Sequence, residues 1–181
     1  MTPLDEREFN DFVAARFDRL GRFAYLLCGD WHRSEDAVQK AFTKLYLVWS
    51  KRDIRSPDAY VRRIIVNVIN DDYRLGFLKR ERVVDELPDR LGPDGSEASD
   101  DRLMVLAALT QLPKRQRTAV VLRYWEDLPI EQVAEIMKCT TGAVKSQSSR
   151  GLAALRAIID GTRSSHDKTP PEGLARLRPA T

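Results

Sequence analysis

Residues 81–101 divide this chain in two. Pro88, Gly92, Pro93 and Gly95 punctuate a stretch with few large apolar side chains, the pattern of a linker rather than of a helix or strand. Its acids are Glu81, Asp85, Glu86, Asp89, Asp94, Glu97, Asp100 and Asp101, set against only Arg82 and Arg90. A negative tether therefore joins two more basic halves, although the 181 residues carry a net charge of only +3. With 43% apolar residues, the halves have enough hydrophobic side chains for a core or two.

Helical spacing runs through both halves, and no strand alternation or internal repeat stands out. Phe9, Phe12, Val13, Phe17, Leu20, Phe23, Ala24 and Leu27 recur at steps of three and four, which predicts one buried helix face over residues 6–27. Cys28-Gly29-Asp30 ends it. Ser34 then reads as the N-cap of a second helix, with Glu35 and Asp36 in its positive first turn and Val38, Ala41, Phe42, Leu45, Val48 and Trp49 on its core face. Ser56-Pro57 is a strong helix start, and Tyr60, Val61, Ile64, Ile65, Val68 and Ile69 supply the next buried stripe. Arg62, Arg63, Asn67, Asn70 and Arg74 lie on the other face. These types read base edges or hold phosphates, and Tyr60, Tyr73 and Phe77 nearby suit stacking on single-stranded bases. Asp71 and Asp72 weigh against simple phosphate binding there.

Beyond the interruption, periodicity returns with Leu103, Leu106, Ala107 and Leu109, stops near Pro113 and resumes through Val120, Val121 and Tyr124. Residues 130–158 have the layout of a helix-turn-helix. Ile130, Val133, Ala134 and Met137 form one short helix, Lys138-Cys139 the connection, and Thr140 the N-cap of a second helix burying Val144, Leu152 and Leu155. Ala134 supplies the small residue that two closely crossing helices need. The second helix turns Lys145, Ser146, Gln147, Ser149 and Arg150 outward, types that suit phosphates and the major groove. Lys114, Arg115, Arg117 and Arg123, with no acid until Glu126, supply a second basic surface for flanking phosphates. A solvated helical surface has the same composition, so both readings stand at this level. An acidic tether between such surfaces would avoid the DNA they bind.

Other classes are poorly supplied. Two cysteines exclude a disulfide scaffold and a four-cysteine zinc site within the chain. His32 and His166 lie far apart with no metal-ligand spacing, and there is no nucleophile and base pair or phosphate loop, so neither enzyme activity nor a cofactor or metal is expected. No run of about 18 apolar residues occurs, and the start is acidic and polar, so the expectation is a cytoplasmic protein without a membrane span.

To about residue 159 the chain resembles the bacterial extracytoplasmic-function sigma factors of the sigma-70 family. Tyr60-Val61-Arg62-Arg63 followed by Val66-Asn67 is similar to their SigE-like actinobacterial branch, and Glu35-Asp36-Ala37-Val38-Gln39-Lys40-Ala41-Phe42 matches the family's acidic pair followed by Val-Gln and Phe. The resemblance implies an all-α chain: sigma domain 2 over residues 1–80, an acidic linker over 81–102, a helix-turn-helix sigma domain 4 over 103–160, and a flexible tail over 161–181. It implies docking on core RNA polymerase, at the β′ coiled coil and the β flap, with Glu35, Asp36, Gln39 and Lys40 on the β′ coiled coil. Promoter DNA is the second implied partner, and an anti-sigma factor covering both domains the third.

By the same resemblance, Lys51, Arg52, Ile54 and Arg55 belong to the loop that receives a flipped non-template base. Arg62, Arg63, Asn67, Asn70 and Arg74 read the −10 element, and the linker threads the RNA exit path. Lys114, Arg115, Arg117, Thr141, Lys145, Ser146, Gln147, Ser149 and Arg150 contact the −35 element. Several positions depart from the pattern. Lys138 stands where the family usually has Gly, which predicts either a small left-handed backbone cost or another form of the turn. Gln147 replaces a frequent basic residue, Pro129 replaces a polar N-cap, and Asp72 and Leu75 make the −10 helix less basic. The competing readings are a stand-alone helix-turn-helix regulator and a helical sequestering protein that binds no DNA.

Overall fold

The computed structural model describes the backbone of residues 3–50, 54, 56–76 and 97–166, and the side chains of 5–50, 54, 56–71 and 103–162. Helices α1 (Pro3–Cys28), α2 (Trp31–Trp49) and α3 (Pro57–Gly76) make the N-terminal half. Helices α4 (Glu97–Gln111), α5 (Lys114–Val120), α6 (Ile130–Met137) and α7 (Thr141–His166) make the C-terminal half, with a π-helical turn, Val121–Trp125, continuing α5. No strand occurs among the described residues.

In the N-terminal half, Leu20, Phe23, Ala24 and Leu27 of α1 pack with Val38, Ala41 and Leu45 of α2 and Val61, Ile65 and Ile69 of α3. Phe17, expected on this stripe, is instead 40% exposed and lies nearly parallel to Phe42, ring centroids 6.3 Å apart. Gly29 ends α1 with φ +71°, its amide donating to the Tyr25 carbonyl at 2.7 Å. The left-handed conformation is one that glycine adopts without a Cβ penalty.

The N-cap of α2 is Asp30, not Ser34. The Asp30 carboxylate accepts from the Arg33 amide at 2.9 Å, so the helix begins a turn earlier than expected. Ser34 is buried inside that first turn, where its hydroxyl donates back to the Asp30 carbonyl at 2.5 Å. A carboxylate at the positive end of the helix satisfies a free amide, and the serine, one turn on, has its own backbone acceptor. At α3 the expectation agrees with the structure: Ser56 Oγ accepts from the Ala59 amide at 3.3 Å and Pro57 occupies the first turn.

Helix α4 starts at Glu97, so it takes in the last six residues of the expected linker. Acids in a first turn complement the helix dipole, and the same composition that marks a tether also suits a helix start. Residues 81–96 lie outside the described part. Likewise α7 continues to His166, past the expected tail boundary at 161, and residues 167–181 lie outside the described part.

In the helix-turn-helix, Val133, Ala134 and Ile136 of α6 and Val144 of α7 are buried. Lys138 closes α6 at φ +50° and ψ +53°, the left-handed form rather than the other turn left open by the missing glycine, and the Cys139 amide donates to the Ala134 carbonyl at 3.0 Å. Pro129 precedes α6 without a side-chain cap, and its carbonyl accepts from the Val133 amide.

The two halves close on each other. The C-terminal half packs α4, α5 and the π turn on α1, and α6 on α3, so the buried apolar residues of both halves form one cluster.

Candidate nucleic-acid interface

Helix α7 is held for presentation at its N-terminus. Thr140 Oγ1 accepts from the Ala143 amide at 3.1 Å and the Thr140 carbonyl from the Val144 amide, an N-cap where the sequence placed one. Val144 anchors the helix inward, and Ser148 turns inward too, donating to the Val144 carbonyl at 2.8 Å. Thr141, Lys145, Ser149 and Arg150 are exposed, and Ser146 and Gln147 are half-buried. Thr141, Lys145 and Ser149 follow at steps of four and so share one face. Beside it a groove of about 390 Å³ is lined in part by Arg123, Tyr124, Lys145, Ser149 and Arg156. Arg156 was not singled out from the sequence. Its position seven residues after Ser149, on the same face, is the signal that marks it.

The π turn shapes the other wall of this groove. The Glu126 amide reaches back five residues to the Val121 carbonyl at 3.0 Å, and Arg123 donates to the Leu128 carbonyl at 2.6 Å. Tyr124 and Trp125 are left 53% and 56% exposed. Glu126 is turned the other way, into the interior, with its side chain fully buried.

The basic surface expected on α5 is divided. Arg115 is exposed, Lys114 donates to the Asn70 carbonyl of α3 at 2.9 Å, and Arg117 is buried. Arg117, expected on the outward face, is turned inward here. Its guanidinium donates to the Leu27 carbonyl at 3.1 Å and to the Thr110 carbonyl, at the C-terminal ends of α1 and α4. Helix C-termini leave carbonyls without intrahelical partners and carry the negative end of the dipole, so a buried cation is well placed there.

On α3, Arg63 is exposed and Asn67 and Asn70 are half-buried. Arg62, expected on the outward face, is only 8% exposed: its Nε donates to Glu126 Oε2 at 2.6 Å. Arg19 of α1 donates to the same oxygen at 3.1 Å. Ile54 is half-buried against the core. Lys51, Arg52 and Arg55 lie outside the described residues, and Arg74 sits on α3 with its side chain outside them. A cleft of about 420 Å³ brings Asn70 and Asp71 of α3 together with Lys114 and Arg115 of α5 and Gln147 of α7.

Helix α2 presents Asp36, Gln39 and Lys40 on an exposed face, Asp36 and Lys40 paired at 2.6 Å. Glu35 sits half-buried beside it and accepts from the Trp31 indole at 2.9 Å. Phe42 is buried behind that face. No helix among the described residues is long and apolar enough to cross a membrane.

Fold and surfaces together define an all-helical protein with a helix-turn-helix unit and a second, distinct helical unit bearing a polar α3 face. Residues 12–75 match the family described as sigma-70 region 2, and residues 102–155 the family described as sigma-70 region 4. The chain is 36% identical over 154 residues to the RNA polymerase sigma-E factor of Streptomyces avermitilis, covering 84% of this chain and 86% of that one. It is 28% identical over 169 residues to the ECF RNA polymerase sigma factor SigW of Bacillus subtilis, covering 84% and 89%. Among solved structures it is similar to the sigma factor RpoE of Bartonella quintana, solved in complex with the anti-sigma factor NepR, with a TM-score of 0.71 at 23% identity over 85% of this chain and 98% of that one. The chain belongs to the extracytoplasmic-function sigma factors of the sigma-70 family, and its function is that of a promoter-specificity factor in transcription initiation. The region 2 match over α1–α3 sets aside the stand-alone regulator and the sequestering protein.

Proposed function

We propose that this sigma factor joins core RNA polymerase through the α2 face and places it on promoters through α3 and α7. Asp36, Gln39 and Lys40 offer a carboxylate, an amide and an ammonium to the β′ coiled coil, with Glu35 supporting the first turn. Arg62, Arg63, Asn67, Asn70 and Arg74 read the −10 element, and Lys51, Arg52, Ile54 and Arg55 shape the pocket for a flipped base. Thr141, Lys145, Ser146, Gln147, Ser149 and Arg150 read the −35 element, with Lys114 and Arg115 on neighbouring phosphates. Arg123 and Arg156, which line the groove beside α7, join the phosphate contacts. The β flap is the second polymerase contact, and an anti-sigma factor the regulatory partner. The chain acts in the cytoplasm, and the chemistry of initiation belongs to the polymerase.

One observation carries this reading: a single chain holds the exposed Asp36, Gln39 and Lys40 on one unit and the exposed Lys145, Ser149 and Arg150 on the other. Run-off transcription from a genomic promoter library, with purified core polymerase with and without this chain, tests it. The expected result is a set of starts that appears only with the chain and shares two spaced elements. Absence of binding to core would overturn the proposal.

A further inference from the structure

Two residues one turn apart on α1, Phe12 and Arg16, reach both ends of the connection between α2 and α3. Phe12 meets Trp49, the last residue of α2, at 5.3 Å between ring centroids, and Phe42 of the same helix edge-on at 6.5 Å. The Arg16 guanidinium lies over the Phe12 ring, 4.1 Å from its centroid, and Arg16 Nε donates to Asp58 Oδ1 at 2.8 Å. Asp58 stands in the first turn of α3, where its charge also complements the helix dipole. A continuous line of contacts, from Trp49 through Phe12 and Arg16 to Asp58, therefore ties the end of one helix to the start of the next by way of a third. Ile54, midway along the connection, packs on the core and adds a further anchor. With the Arg16 and Asp58 side chains 35% and 33% exposed, the pair adds little to the stability of the fold, which rests on the buried stripes of α1, α2 and α3. Its contribution is direction: a guanidinium stacked on a ring and held by a carboxylate has few alternative placements.

We propose that Arg16 is a positioning residue for promoter opening: stacked on Phe12 and paired with Asp58, it fixes the start of α3 against the end of α2. The proposal rests on the reading of α3 as the −10 surface and of the connection before it as the receiver of a flipped base. Both engage the same DNA strand, so their separation has to match the spacing of neighbouring nucleotides. A base leaves the stack at a cost that its capture must offset. Groups held in place beforehand lose less freedom on that capture, and the gain appears in the opening step. Arg16 acts through α3 and has no DNA contact of its own in this role.

The test uses holoenzyme assembled from core polymerase and the full chain, on a promoter taken from the run-off library. Wild type is compared with Arg16→Gln, Asp58→Asn and the double variant at equal occupancy of core. Opening is read as permanganate reactivity of unpaired thymines between the −10 element and the start. Run-off transcription is measured on the duplex and on a template whose −10 strands are mismatched and already unpaired. Each single variant should lower duplex opening by about fivefold, the weight of one partly exposed ion pair with its ring contact. The double variant should be no worse than either single one, because both changes remove the same interaction. On the unpaired template all four chains should transcribe equally, and circular dichroism should show all of them folded at the assay temperature. An equal loss on both templates would reduce Arg16 to a general structural or core-binding contact and overturn the positioning role, as would additive single effects or unchanged opening in both single variants. Arg63→Ala with Asn67→Ala, on the α3 face itself, is run alongside. Should that change leave opening intact, the −10 reading of α3 is what fails.

Discussion

At Gly151 the crossing of α5 and α7 is tighter than any side chain allows. A Cβ there would lie 2.7 Å from Val120 Cγ2 and 3.1 Å from the Gln116 carbonyl oxygen, and the second of these is backbone that cannot rotate away. Gly151→Ala should therefore destabilise the chain by about 1–3 kcal/mol in urea unfolding, despite its better helix propensity. Cys28 is a second residue set by its surroundings. Burial pushes its thiol up from the ordinary value, against the opposing hydrogen bonds of Ser34 and the Asp30 backbone. Alkylation of the native chain should accordingly modify half-buried Cys139 well before Cys28, as read by mass spectrometry of timed samples. A thiol whose pKa is higher folded than unfolded stabilises the fold fully below its unfolded pKa. That contribution is lost as pH rises through the folded one, so stability should fall in the alkaline range, and less steeply in Cys28→Ala. Arg62 and Arg117 show where residue-level reading ends. Both are basic residues within basic runs, yet one meets a carboxylate 64 positions away and the other a carbonyl 90 positions away.

Among the elements, α7 carries the clearest division of labour. Lys145 is a point charge on the exposed face, so Lys145→Ala should weaken binding to −35 duplexes of every sequence and reduce the salt slope by about 1. Gln147 carries an amide able to pair bidentately with adenine, so Gln147→Ala should relax selection at one base pair by about 1–3 kcal/mol. Competition binding against a library of −35 variants at two salt concentrations separates the two effects. The boundaries of α3, α6 and α7 at their N-termini were legible because Ser56-Pro57, Pro129 and Thr140 act within one turn of themselves. Ser34 reads as the cap of α2 and Asp30 as part of the break before it, and only the contact of the Asp30 carboxylate with the Arg33 amide moves the start one turn earlier. The π turn left no trace in the apolar spacing, because a single reach of five residues is selected by what Tyr124, Trp125 and Glu126 meet in space.

For the whole molecule, closure makes the two halves share one buried cluster, with Arg117 tying the ends of α1 and α4 together. The free chain should therefore unfold in urea as one transition. Arg117→Ala leaves two carbonyls without their donor and should lower stability by about 1–3 kcal/mol for each, and far-ultraviolet circular dichroism should then resolve two steps. Two independent transitions in the wild type would contradict a shared core. What the amino-acid sequence determined by itself was helical class, the two halves, the helix-turn-helix and the faces that carry Asp36, Gln39, Lys145 and Ser149. All of these follow from periodicity and capping, which act over three or four residues. Only the tertiary structure decided which charges are spent inside. Whether Arg62 and Arg117 face solvent, and where Glu126 points, depends on how the two halves close and on which acceptors that closure strips of water.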